Sequence, residues 1–174
     1  MTFPKKPEES PAHAIGEYPG RWGRVQYNEG LMVGYRYFDT KNVEPVFPFG
    51  YGLSYTGFEY ASLKLPSEVR MTDKEIMVSF EIKNTGQREG KEIAQLYIRD
   101  MESSLERPYK ELKGFGRVSL RPGESKKLIV KLDKRAFQFY DPVRMQWVAE
   151  PGKFEILIGN SSKDIRLKGE LKLL

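Results

Sequence analysis

Cysteine is absent from the 174 residues, which rules out a disulfide framework and a thiolate metal site while leaving the compartment open. Histidine occurs once. His13 stands in a proline-rich stretch with no second histidine, so it cannot belong to a recognisable zinc cluster, and solvation is its ordinary state. Ser54, Ser103, Ser104 and Ser161 have no histidine in a workable local arrangement, which leaves nucleophilic catalysis without support. A phosphate loop is missing too, because Gly50 and Gly52 are followed by neither a lysine-serine element nor a helical pattern. None of these residue types offers a catalytic, cofactor-binding or metal-binding candidate.

Long apolar runs are also lacking. No window approaches the ~20 apolar residues of a membrane span, and the opening MTFPKKPEESPAHAIG holds no run fit for a signal peptide. The piece is expected to be soluble and unexported, in the cytoplasm or in a compartment set by sequence beyond it. Charge is nearly balanced: residues 1–60 carry 6 basic and 7 acidic side chains and residues 61–174 carry 23 and 17, for a net +5. Basic residues alternate with acidic ones, as in Lys110, Glu111 and Lys113, instead of gathering on one face. That pattern argues against a nucleic-acid partner.

What is present is enough apolar material for a core, with 39% hydrophobic residues and 13% aromatics. The length suits one domain plus an appendage. Residues 1–24 are rich in proline, glycine and charge without helical or strand periodicity, and read as an extended arm. Residues 25–58 are rich in Tyr, Phe and Val but broken by Gly30, Gly34, Pro45, Pro48, Gly50, Gly52 and Gly57, too often for a long helix or a regular sheet.

From Phe58 onward the pattern is that of strands. Ile76, Val78, Phe80 and Ile82 alternate with Met77, Ser79, Glu81 and Lys83, and Ala94, Leu96 and Ile98 fall on one face of a second strand. The RPGE turn at Pro122 and Gly123 leads into the alternation of Leu128, Val130 and Leu132. Further runs carry Phe137, Phe139 and Tyr140, then Met145 and Trp147, then Phe154, Ile156 and Ile158. Tyr140 and Trp147 are expected in the core. Seven or more short strands between Gly and Pro turns describe an all-β, two-sheet sandwich of the immunoglobulin or fibronectin type III kind, preceded by an irregular N-terminal arm.

Seven segments in one order carry a more specific signal: TFPK from Thr2, YPG from Tyr18, YNEGLMVGYRYFD from Tyr27, FPFGYGLSYT from Phe47, RPYKELKGFGRVSLRPGES from Arg107, FYD from Phe139 and WVAEPGKFEILIGNSS from Trp147. Together they resemble the C-terminal region of glycoside hydrolase family 3, the β-glucosidases and β-xylosidases. The resemblance implies residues 1–58 as an arm from the end of a second catalytic domain and residues 59–174 as a fibronectin type III-like sandwich. It also implies retaining hydrolysis of β-glycosides by the complete enzyme, with both catalytic carboxyls in domains outside this chain. The expected partners are those catalytic domains, in cis or as a separate fragment, with no nucleic acid and no membrane.

Physical chemistry agrees that the piece alone should be inactive, since a retaining glycosidase needs two carboxyls about 5–5.5 Å apart in a pocket. Most carboxylates here stand in charged turns. Tyr27, Glu29, Tyr35, Tyr37 and Asp39 are the candidate interdomain or substrate-rim contacts. Glu29 and Asp39 could line a sugar site, or they could hydrogen-bond irregular backbone, the reading preferred here. The aromatics could stack on sugars, or anchor the arm against other domains, again preferred. Those around the FPFGYGLSYT junction are expected to be poorly covered. The alternative function is a free-standing carbohydrate-binding or adhesion module, against which stands the clustering of aromatics in the arm and not on an evident strand face.

Overall fold

The computed structural model describes residues 1–14 and 17–174; Ile15 and Gly16, inside the expected arm, lie outside the described residues. Strands occupy the chain from Phe58: β1 (Phe58–Lys64), β2 (Glu68–Val69), β3 (Ile76–Asn84), β4 (Gly90–Asp100), β5 (Glu111–Leu120), β6 (Ser125–Leu132), β7 (Phe139–Asp141), β8 (Gln146–Val148), β9 (Gly152–Gly159) and β10 (Ile165–Leu173). One sheet has the order β1-β3-β6 and the other β2-β10-β9-β4-β5, while β7 and β8 pair separately as a hairpin. All neighbours are antiparallel except β2 and β10. The expected two-sheet sandwich is the observed architecture.

Alternation decides which side chains meet between the sheets. Val78, Phe80 and Ile82 of β3 face Ala94, Leu96 and Ile98 of β4, Leu120 of β5 and Ile156 and Ile158 of β9 in one buried cluster. Where the first half of β5, at the edge of the larger sheet, runs beside the last half of β6 in the smaller, a side chain on Gly114 would meet Val130 at 2.5 Å. Glycine there lets the two sheets close.

One buried polar residue, Asn84, ties the β5–β6 turn to the junction. The Asn84 carboxamide donates to the carbonyls of Arg88 (2.7 Å) and Leu120 (3.0 Å) and accepts from the Gly86 amide (3.0 Å) and from the Thr56 hydroxyl. All its capacity is used, which is what a fully buried amide requires.

Two expectations are corrected. Tyr140 and Trp147 are not core: they stand opposite each other on the β7–β8 hairpin, half exposed, with ring centroids 5.9 Å apart. The reason is the strand period, because Phe139 takes the inward position and its neighbour must point the other way. The arm is also less extended than expected. It contains a 3-10 turn (Pro7–Glu9) and two short helices, α1 (Pro11–Ala14) and α2 (Tyr35–Thr40). Its first residues fold back on the junction, where Phe3 and Phe47 exchange backbone contacts and pack edge to face.

Candidate functional site: the arm docked on the larger sheet

Gly34 starts α2 with φ of +57°, a value that favours glycine, and the helix then presents Tyr35, Phe38 and Asp39 at the spacing of one helical face. That face meets the outer surface of the larger sheet. The Tyr35 hydroxyl accepts from the Leu112 amide at 2.8 Å, and its ring packs between Phe49 (5.2 Å) and Tyr97 (5.7 Å). Thr40 accepts from the Tyr109 amide at 2.8 Å. Further along the chain, the Phe49 carbonyl accepts from the Ser162 amide at 2.8 Å. Gly50 has φ of +85°, a backbone conformation that favours glycine, and a side chain on it would displace the Gln95 carboxamide 2.0 Å away. Tyr97 donates to Gln95, which donates in turn to the Asn160 carbonyl at 2.9 Å.

The electrostatic centre of the contact is Asp39. Its carboxylate receives Lys110 at 2.6 Å and Lys163 at 3.5 Å, and the Asp39 and Lys110 side chains are only 2% and 4% exposed. Burial pulls the Lys110 ammonium below the ordinary lysine range, and the hydrogen bond and charge of Asp39 oppose that pull. Beside it, Arg36 of α2 reaches Glu111 at 3.1 Å, and Glu111 also receives Arg107 (2.7 Å) and Lys113 (3.4 Å). Burial pushes the Glu111 carboxyl up, but Lys113, Arg107 and Arg36 outweigh it and hold the group below 4.5. At the opposite end of the sandwich Tyr60 donates to Glu92 at 2.8 Å. Burial holds Glu92 above the ordinary carboxylate range and the tyrosine contact only partly offsets it.

The five candidate residues separate into two groups. Tyr35 and Asp39 come together on the sheet, and Asp39 bonds lysines instead of the irregular backbone expected of it. Tyr37 packs its ring on Phe38 at 5.7 Å. Tyr27 is 83% exposed, and Glu29 is half-buried, with one carboxylate oxygen lacking a partner among the described residues. The junction aromatics are poorly covered as expected, with Phe47, Tyr51 and Tyr55 exposed and Phe49 half-buried against Tyr35. Trp22, Leu31, Val33 and Leu53 are further apolar side chains exposed along the first 58 residues.

Comparison with known proteins places this arrangement. Residues 92–162 match the model of the fibronectin type III-like domain. Two curated relatives align along almost the whole chain: thermostable β-glucosidase B of Acetivibrio thermocellus, 50% identical over 172 residues, and β-glucosidase BoGH3A of Bacteroides ovatus, 51% identical over 168. These alignments take in 99% and 95% of this chain and 22% of each relative. The chain carries the fibronectin type III-like region of glycoside hydrolase family 3. Among solved structures, β-glucosidase 3B from Thermotoga neapolitana in complex with α-D-glucose superposes with a TM-score of 0.87 at 37% identity, over 99% of this chain and 24% of that one. A family 3 β-glucosidase from Bifidobacterium adolescentis reaches 0.91 at 33% identity, over 99% of this chain and 25% of that one. The chain thus spans about a fifth of the length of the curated relatives it matches.

Several residues that make this family 3 region cohere escaped the sequence reading, namely Gln95, Tyr97, Lys110 and Ser162. Tyr97 carried a usable signal. It lies between the inward-facing Leu96 and Ile98, so a large aromatic falls in the outward register, and such a position implies a second cover over the sheet. Lys110 carried none, because a lysine among alternating charges is normally solvated. Among the described residues no helix is long and apolar enough to cross a membrane.

Proposed function

We propose that this chain is the accessory, non-catalytic region of a family 3 β-glycosidase, and that it supports catalytic domains whose complete assembly hydrolyses β-linked glucosides or related glycosides. The carrying observation is the alignment of 99% of the chain with 22% of a β-glucosidase at 50% identity. In this reading residues 1–58 are the arm and residues 59–174 the sandwich. The arm's inner side, with Tyr35 and Asp39, is held by the sandwich. Its outer side, with Tyr27, Glu29 and Tyr37 and the exposed Trp22, Leu53 and Tyr55, meets the catalytic domains in cis or as a separate fragment. Exposed aromatics in this number are costly to leave in water and are what an interaction surface presents.

The contribution to catalysis is positional, since an active site loses rate when its groups shift by about 1 Å. The purified chain should release no nitrophenol from aryl β-glucosides or β-xylosides. An N-terminal fragment carrying the two catalytic domains of such an enzyme should gain activity and thermal stability when this chain is added. Turnover by this chain alone, or a catalytic fragment equally active and stable without it, would refute the proposal.

A further inference from the structure

Trp147, Tyr140 and Phe115 are large apolar residues left on strands with 50%, 47% and 71% of their surface exposed. They border three hollows that follow one another along the edge where the start of β5 lies beside the end of β6. The first, of 520 Å³, is walled by Tyr140, Trp147, Arg107 and Gln138 of the sandwich and by Leu31 and Arg36 of the arm. The second, of 540 Å³, shares Trp147 and Lys113 with the first. The third, of 460 Å³, shares Lys113 and Lys131 with the second and runs out to Phe115. Shared walls make them one trough.

Its chemistry narrows the occupant. Three hollows in series suit a chain and not a compact ligand. The rings are held in place: Tyr140 and Trp147 meet edge to face, and the Arg135 guanidinium lies 4.8 Å from the Trp147 ring. Six basic and four acidic residues line the three hollows. Pairs such as Lys131–Glu75 (3.2 Å) and Arg107–Glu111 (2.7 Å) cancel much of that charge locally. A polyanion would want an unpaired basic stripe. A sugar chain offers apolar ring faces for the aromatics and hydroxyls for the lysine and glutamine groups beside them.

We propose that this trough binds a linear, uncharged polysaccharide, its rings stacked along Tyr140, Trp147 and Phe115 and its hydroxyls meeting Gln138 and Lys113. The arm closes one end of the trough, since Leu31 and Arg36 line the first hollow and Arg36 bonds Glu111 there, while the other two hollows are lined by the sandwich alone.

Affinity gel electrophoresis of the intact chain tests it, with mixed-linkage β-glucan, xylan or glucomannan in the gel and dextran sulfate and denatured casein as the charged and polypeptide comparisons. Retardation is expected in at least one neutral glycan and in neither comparison. Trp147→Ala and Phe115→Ala should each weaken binding about tenfold, the scale of one lost aromatic contact, while Trp147→Phe keeps most of it. Melting temperatures verify folding, and Phe115→Ala carries the test if Trp147→Ala does not fold. The proposal is overturned by no retardation in any neutral glycan, by stronger retention in dextran sulfate or casein, or by unchanged binding in folded Trp147→Ala and Phe115→Ala proteins.

Discussion

Asp39 and Lys110 are 71 positions apart in sequence, yet they form the most buried ion pair that joins the arm to the sandwich. Such a pair is weak evidence for net stability, because desolvating both charges costs about as much as their attraction returns. Breaking it is another matter. Asp39→Ala leaves the Lys110 ammonium buried with its closest counter-charge removed and should cost about 3–5 kcal/mol. Asp39→Ala with Lys110→Met should recover most of that loss, since no unpaired charge remains. Chemical denaturation of the two single variants and the double measures it. If the double variant is no more stable than Asp39→Ala, the pair is not what holds the contact.

Elements show how far a sequence can be read. The strands of the sandwich were legible because β3, β4, β6 and β9 each have a dry inner face, and a period of two then marks every second residue. The hairpin and α2 were not legible. Three-residue strands such as β7 and β8 are too short for alternation to say which face is inward, and so Tyr140 and Trp147 were assigned to the wrong side. Helix α2 has six residues, well short of independent stability, and exists because its Tyr35 and Asp39 are bonded to the sheet. The site was legible only as a set of residue types, because the sandwich partners of Tyr35 and Asp39 lie at least 60 residues further along the chain.

At the start of β5, pH reports on the same contacts. Glu111 titrates lower in the folded chain than in the unfolded one, so its stabilisation is full above 4.5 and is lost as pH falls through the lower, folded value. In Glu111→Gln this acid-side dependence should flatten relative to the unmodified protein. Melting temperature measured from neutral to acid pH reads it, and parallel curves would show that the carboxylate is not held down by Arg107, Lys113 and Arg36.

The whole molecule has three layers where a simple sandwich has two, because the segment from Tyr35 to Gly50 covers the larger sheet from outside. The residues before it contribute less. Arg21 and Arg24 are exposed, so trypsin should cut there first. The piece beginning at Val25 should keep the melting temperature of the intact chain within about 2–4 °C, the equivalent of 1 kcal/mol at this size. A larger fall would show that the leading residues are part of the stable unit. The third layer also bears on anyone who would graft this module onto another enzyme. Trimmed at its first strand, the sandwich would carry a wet, adhesive stripe through Tyr97 and Leu157, both dry in the intact chain. The portable unit begins ahead of Gly34, with its own lid attached.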